Sequence, residues 1–87
     1  NALDTLVLAA ERLKGHADIC FVLVGDGQLK EAMRHLFHGM KLAVEPAGAA
    51  TTAGLLGPLK EKIRGKKVGI IVCGTNIDIE DFHNIAS

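Results

Sequence analysis

The sequence predicts an α/β fold, namely a three-layer αβα sandwich around a three-stranded parallel sheet. Three apolar runs, residues 19–24, 42–44 and 68–72, do not alternate with polar residues, which is typical of strands covered on both faces. Segments with helical spacing separate the runs, and such crossovers join parallel strands. Glycine and proline punctuate the boundaries.

The first helix and first strand occupy residues 3–24. Apolar residues recur at helical spacing from Leu3 to Leu13, and Lys14-Gly15 is a plausible stop, so we expect a helix over residues 3–14. The β-branched run 19–24 follows as a strand. Gly25-Asp26-Gly27 ends it.

The second helix carries the clearest apolar stripe in the chain. Residues spaced i, i+3, i+4, i+7, i+8 and i+11 form it, namely Leu29, Ala32, Met33, Leu36, Phe37 and Met40. Asp26 is the expected N-cap, and Gly39 the expected C-terminal stop. A short strand over residues 42–44 follows, and Glu45-Pro46 marks its end.

The last third of the chain repeats the pattern of helix, strand and helix. Small residues over 48–56 predict a helix that packs closely on a sheet, and Gly57-Pro58 interrupts it before a further helical turn. Residues 68–72 are the third strand. Asn76 or Asp78 could cap a final helix. The order αβαβαβα is Rossmann-like, and residues 1–87 form one small domain.

Composition excludes several functional classes. Of 87 residues, 48% are apolar, ten basic residues balance ten acidic ones, and there are three Phe but no Trp or Tyr. Without a basic face or aromatic platform, nucleic acid is not an expected partner. No run is long enough to cross a membrane, and no signal peptide is visible. An exposed sheet edge or apolar helix face makes a homodimer the candidate association.

The cysteines and histidines predict no metal site. Cys20 and Cys73 lie far apart without ligand neighbours, so we expect two buried free thiols, which suits a cytoplasmic protein. His35 and His38 share a helix at i, i+3, but no further ligands are apparent, and solvent-exposed histidines are expected.

Residues 31–87 resemble the C-terminal part of the cofactor domain of fold-type II pyridoxal-phosphate-dependent serine/threonine dehydratases. The resemblance rests on residues 42–50, with the motif Val44-Glu45-Pro46-Ala47-Gly48, and on Cys73-Gly74-Thr75-Asn76-Ile77-Asp78. It implies that Cys73 faces the pyridine nitrogen of the cofactor and that Glu45 lies near the ring. Gly74 and Asn76 would belong to the same loop.

Residues 1–33 resemble a different family. A helix followed by Phe21-Val22-Leu23-Val24-Gly25-Asp26-Gly27 is similar to the start of the nucleotide-binding domain of GT-B glycosyltransferases. Two families in one chain predict a chimera, joined within the second helix near residues 28–34.

The predicted function is therefore that of a small engineered or chimeric α/β domain, built from enzyme fragments and without catalysis or cofactor of its own. A pyridoxal-phosphate enzyme needs a Schiff-base lysine and a phosphate-binding loop. No lysine here stands in the family's lysine motif, and Gly25-Asp26-Gly27 is a weak anion site because Asp26 repels phosphate. The alternative is a pyridoxal-phosphate-binding fragment of a dehydratase, or ammonia-lyase, that lacks both parts.

Overall fold

Four α-helices and one 3-10 helix make up the regular structure of residues 2–87, which a computed structural model describes. Helix α1 is Ala2–Arg12, α2 is Asp26–Met40, α3 is Ala50–Leu56 and α4 is Ile79–Ala86. The 3-10 helix, Pro46–Ala49, leads directly into α3. Pro46 opens it because the fixed φ of proline suits a first helical position and its missing N–H would have no partner there.

The predicted three-stranded parallel sheet, and with it the αβα sandwich, is wrong. No strand occurs within residues 2–87, and the apolar runs 19–24, 42–44 and 68–72 are irregular. The physical reason lies in their exposure: Leu23 is 63% exposed and Ile71 76% exposed. Parallel strands persist when both faces are covered. Runs 19–24 and 68–72, which contain Leu23 and Ile71, have solvent on one side.

Helix α2 begins where the sequence predicts but is capped differently at both ends. Gly25, not Asp26, is the N-cap, and its N–H donates to the Gln28 side chain over 2.7 Å. The helix continues through Gly39 and ends at Lys41, which takes the left-handed conformation with φ 60°. There the N–H of Lys41 donates to the carbonyl of Phe37, and the N–H of Leu42 to that of Leu36. These two bonds satisfy carbonyls that the helix end leaves open.

The core is small and is organised around α2. Its buried members come from α2, from the segment that follows it, and from the helices packed on it: Ala32, Met33, Leu36, Val44, Ala49, Ala53 and Ala86. Only Met33 and Val44 are large, fully buried side chains among the described residues. Helix α1 contributes none of these, and its Leu3, Val7 and Leu8 are exposed.

The cap of α4 is Asp78, which resolves the two candidates that the sequence leaves open. Its Oδ1 accepts a hydrogen bond from the N–H of Asp81 over 2.8 Å. A capping carboxylate satisfies an orphan donor of the first turn and also lies at the positive end of the helix dipole.

Replacing this cap is expected to have a measurable cost. Asp78→Ala should lower the free energy of unfolding by about 1 kcal/mol, because the N–H of Asp81 loses its acceptor. Urea unfolding followed by circular dichroism measures the loss. Asp78→Asn is the matched control, since asparagine caps as well as aspartate. Equal destabilisation by both variants would show that capping is not the role of this side chain.

Candidate functional site

Two segments that are distant in sequence meet at one corner of the molecule. The N–H of Glu45 donates to the carbonyl of Gly74 over 3.1 Å. Glu45 stands at the N-cap of the 3-10 helix, and the N–H of Gly48 closes that turn by donating to the Glu45 carbonyl over 2.9 Å. We call residues 45–48 and 73–76 together the corner.

Two glycines allow the corner to close. A Cβ built on Gly48 would overlap the carbonyl oxygens of Cys73 and Gly74. Gly74 has a φ of +83°, and a Cβ there would overlap the carboxylate of Glu45. At Gly48 the obstructing atoms are backbone, so a side chain there would force the two segments apart. At Gly74 they belong to the flexible Glu45 side chain, and the positive φ, which glycine alone adopts readily, is what requires glycine. The close approach of the two segments therefore depends on these residue types.

All four predicted site residues lie in the corner, and three of them, Glu45, Cys73 and Gly74, lie where its two segments meet. Glu45 is half-buried, with its carboxylate against Gly74, and Cys73 is the preceding residue in the loop. Asn76 is exposed and, within the described chain, its side chain forms no hydrogen bond to the other three. The loop is shaped instead by the N–H of Ile77, which donates to the carbonyl of Thr75 over 2.8 Å.

Both thiols are free, but their predicted burial is wrong. Cys20 and Cys73 are exposed. Each lies in or next to an apolar run that the sequence places inside a sheet, and without that sheet the runs are open to solvent. An exposed Cys73 at the corner is accessible to a ligand.

The first turn of α2, which holds part of the glycine-rich sequence, faces the same region. Asp26, Gly27 and Lys30 line a cavity of about 380 Å³ together with Pro46, the neighbour of Glu45. Sequence reasoning assigned no role to Lys30. In the sequence, the only hint of a role for Lys30 is that it follows glycine-rich residues by one helical turn. The fold places it beside Pro46.

A larger cavity, about 560 Å³, lies between α2 and α4 and is also bordered by Ala43 and Ile77. Phe37 and Phe82 meet there with ring centroids 5.3 Å apart. Of the residues singled out in the sequence, Phe37, His38, Ile77 and Asp78 border it. Apolar side chains make up most of its surface, and Arg34, His38, Asp78, His83 and Ser87 add polar groups to the lining.

The described chain contains neither a metal centre nor a membrane span. No group of three or more histidine, cysteine, aspartate or glutamate side chains comes together within residues 2–87. His35 and His38 are exposed, as the sequence predicts. None of the helices from Ala2 onward has the length and apolar content needed to cross a bilayer.

Comparison with curated proteins points to one group of enzymes. The chain is 52% identical over 61 residues to the phenylserine dehydratase of Ralstonia pickettii. The matched stretch covers 70% of this chain and 19% of that enzyme. It is 45% identical over 62 residues to an L-threo-3-hydroxyaspartate ammonia-lyase of a Pseudomonas species, covering 71% of this chain and 19% of the enzyme. A serine racemase of Dictyostelium discoideum is 38% identical over 65 residues, or 74% of the chain and 20% of the enzyme. No family profile and no solved structure matches the chain.

These matches give no support to the predicted chimera or to its glycosyltransferase-like start. A stretch of 61 residues within a chain of 87 must run through its middle, so each of these three matches crosses residues 28–34. That segment was the predicted join, and these enzymes assign no family to the roughly 30% of the chain outside the match. The same stretch includes Glu45 and Gly48. About 70% of this chain is therefore homologous to enzymes of the serine/threonine dehydratase kind, and the chain spans about a fifth of their length.

Proposed function

We propose that this chain is a fragment of a pyridoxal-phosphate-dependent dehydratase and forms one wall of its cofactor site. The observation that supports the proposal is the contact in the corner, where the N–H of Glu45 donates to the carbonyl of Gly74, Gly48 has no room for a side chain, and Gly74 has a positive φ. Identities of 38% to 52% with dehydratases, ammonia-lyases and racemases support the same conclusion.

The residues of the corner fit one side of the cofactor. Cys73 is exposed and can face a ring nitrogen, as the family resemblance implies. The two glycines keep the backbone segments of the corner close together, which holds the Cys73 loop against Glu45. When bound, pyridoxal phosphate supplies an electron sink for carbanion chemistry. The corner would orient the cofactor ring.

The chain by itself is not expected to catalyse a reaction. The resemblance places the Schiff-base lysine and the phosphate-binding loop in other parts of such enzymes. Lys30 is the lysine near Pro46, but it projects from α2 into a cavity whose wall also carries the acidic residue Asp26. That carboxylate disfavours a phosphate group beside it.

A graft tests the proposal. Residues 31–87 replace the corresponding part of the Ralstonia phenylserine dehydratase, and the cofactor affinity of the purified graft is measured by absorbance titration. Cys73→Ala should weaken cofactor binding about tenfold, which corresponds to the loss of one hydrogen bond. Cys73→Ser should retain the affinity, because a hydroxyl can serve the same nitrogen. A folded graft that binds no cofactor would refute the proposal.

A titration of the 87-residue chain with pyridoxal phosphate separates binding from catalysis. We expect no Schiff-base absorbance band. A band that disappears in Lys30→Arg would show that the chain carries its own attachment lysine, which contradicts its role as one wall of a larger site.

A further inference from the structure

The cavity between α2 and α4 has the size of a small-molecule site. Its volume, about 560 Å³, lies within the range of roughly 300–1,000 Å³ that such sites occupy. Both helices contribute to its lining, together with residues 43, 77 and 78 beside them. None of residues 45–48 and 73–76, which form the corner, borders it. A ligand bound here would therefore contact other residues than a cofactor at the corner.

Aromatic rings form part of the apolar lining. Of the three phenylalanines in the chain, two border this cavity, Phe37 and Phe82, and their ring planes are inclined by 46°. Phe37 is 40% exposed and Phe82 is half-buried, so each ring has surface that the described residues leave uncovered. Aromatic rings pack favourably on one another in tilted and offset arrangements. The uncovered surface therefore favours a ligand that carries a flat ring.

Arg34 gives the cavity an unpaired positive charge. Within residues 2–87, its guanidinium forms no ion pair and no hydrogen bond. By contrast, Arg64 is paired with Glu61 over 2.8 Å. The imidazoles of His38 and His83 border the same cavity and can donate further hydrogen bonds. An anion in the cavity would therefore be near several donors, one of them a guanidinium that has no partner in the described chain.

Asp78 is the acidic side chain of the lining, and its carboxylate is already engaged. Its Oδ1 accepts the hydrogen bond from the N–H of Asp81 and lies at the positive end of the α4 dipole, which offsets part of its charge. Arg34 remains available, and a guanidinium binds a carboxylate through two parallel hydrogen bonds. Because Asp78 still repels anions, a singly charged carboxylate fits the cavity better than a doubly charged phosphate.

We propose that the cavity between α2 and α4 binds an aromatic monocarboxylate, a small molecule with one flat ring and one carboxylate. Its ring packs against Phe37 and Phe82, and its carboxylate pairs with Arg34. Apolar walls with a few polar groups that fix orientation are the usual composition of such sites. The inference goes beyond the proposed function and does not rest on it, because it involves neither the cofactor nor catalysis.

An NMR titration of the 87-residue chain with 3-phenylpropanoate tests this inference. The amide resonances of residues 34–38 and 77–83 should shift most. Their concentration dependence should give a Kd of about 1 mM or lower, the affinity expected of a ligand with so few atoms. Two comparison molecules separate the two contacts: 3-phenylpropanamide lacks the charge, and propanoate lacks the ring. Each should bind about tenfold more weakly than 3-phenylpropanoate.

Substitutions with a matched control identify the carboxylate contact. Arg34→Gln should weaken binding about tenfold, and Arg34→Lys should restore part of the affinity, because lysine keeps the charge but not the planar fork. Arg12→Gln is the control, since it removes the same charge from α1 at a position that does not border the cavity. Arg34 and Arg12 are both exposed, so all these variants should fold. Arg12→Gln should leave the Kd unchanged.

A second variant tests the cavity independently of charge. Ala43 is exposed and borders the cavity, so Ala43→Phe adds a ring to the space without disturbing the core. This variant should weaken binding of 3-phenylpropanoate at least about tenfold. The parent chain is also titrated with an amidated C terminus, because a carboxylate on Ser87 would adjoin the cavity and oppose the anion. The amidated chain should bind at least as tightly.

The opposite outcomes overturn the inference. Absence of saturable shifts in residues 34–38 and 77–83 refutes it, as do equal losses in Arg34→Gln and Arg12→Gln or full affinity in Ala43→Phe. Tighter binding of 3-phenylpropylamine than of 3-phenylpropanoate would assign the polar contact to Asp78 and reject the carboxylate, and weaker binding by the amidated chain would also contradict it. The proposed function is judged by a separate titration, so a graft that binds no cofactor rejects only the wall of the cofactor site.

Discussion

Gly48→Ala is expected to lower the free energy of unfolding by about 3 kcal/mol, the upper end of the range for overpacked sites. A Cβ at this position would overlap the carbonyl oxygens of Cys73 and Gly74. Those atoms are backbone, so relief requires the two segments of the corner to separate. Separation also breaks the hydrogen bond from Glu45 to Gly74. The loss is large for a chain of this size, whose total stability is of the order of 4–13 kcal/mol.

Urea unfolding measures this effect, and Gly27→Ala is its control. Gly27 lies in the first turn of α2, and nothing lies within 4 Å of a Cβ built there. Alanine at an unhindered helical site should leave stability unchanged or raise it by up to about 1 kcal/mol. In the graft, Gly48→Ala should also weaken cofactor binding, because it moves Cys73. If Gly48→Ala and the parent chain unfolded at the same urea midpoint, the corner would not be closely packed.

Met33→Ala should cost about 3 kcal/mol, by a different mechanism. Met33 is fully buried in the middle of α2, where the helix packs on its neighbours. Truncation removes apolar contacts and leaves a cavity, and the two losses together amount to 2–5 kcal/mol for a methionine. The core has only one other large, fully buried side chain among the described residues, Val44, so little remains nearby to fill the space.

Met40→Ala provides the comparison within the same helix. Met40 is 63% exposed, and surface substitutions away from special features usually change stability by less than about 0.5 kcal/mol. Alanine is also a better helix former than methionine by a small margin. If Met33→Ala and Met40→Ala shifted the urea midpoint equally, α2 would not be the centre of the core.

The candidate site could be predicted in part from local sequence. Glu45-Pro46 and Cys73-Gly74 each end an apolar run, and that pattern was enough to single them out. Their contact depends on Gly48, which has no room for a side chain, and on Gly74, which has a positive φ, and only coordinates show these two constraints. Lys30 was missed because a lysine on an amphipathic helix gives no signal of its own. Its position beside Pro46 arises from the packing of α2 against the 3-10 helix.

By itself, the sequence determined the helices α1 and α2, the breaks at Gly25 and Pro46, the choice of Asp78 or Asn76 as a cap, and the resemblance to dehydratases. The helices, breaks and caps depend on neighbours within a turn or two, so local spacing is enough to predict them, whereas the resemblance rests on two motifs taken together. The tertiary structure decided what the apolar runs do. Residues 19–24 and 68–72 have the composition of buried strands, but a strand exists only when another segment accepts its hydrogen bonds and covers its faces. In this chain those partners are missing from the described residues, and the runs remain unpaired and half-exposed.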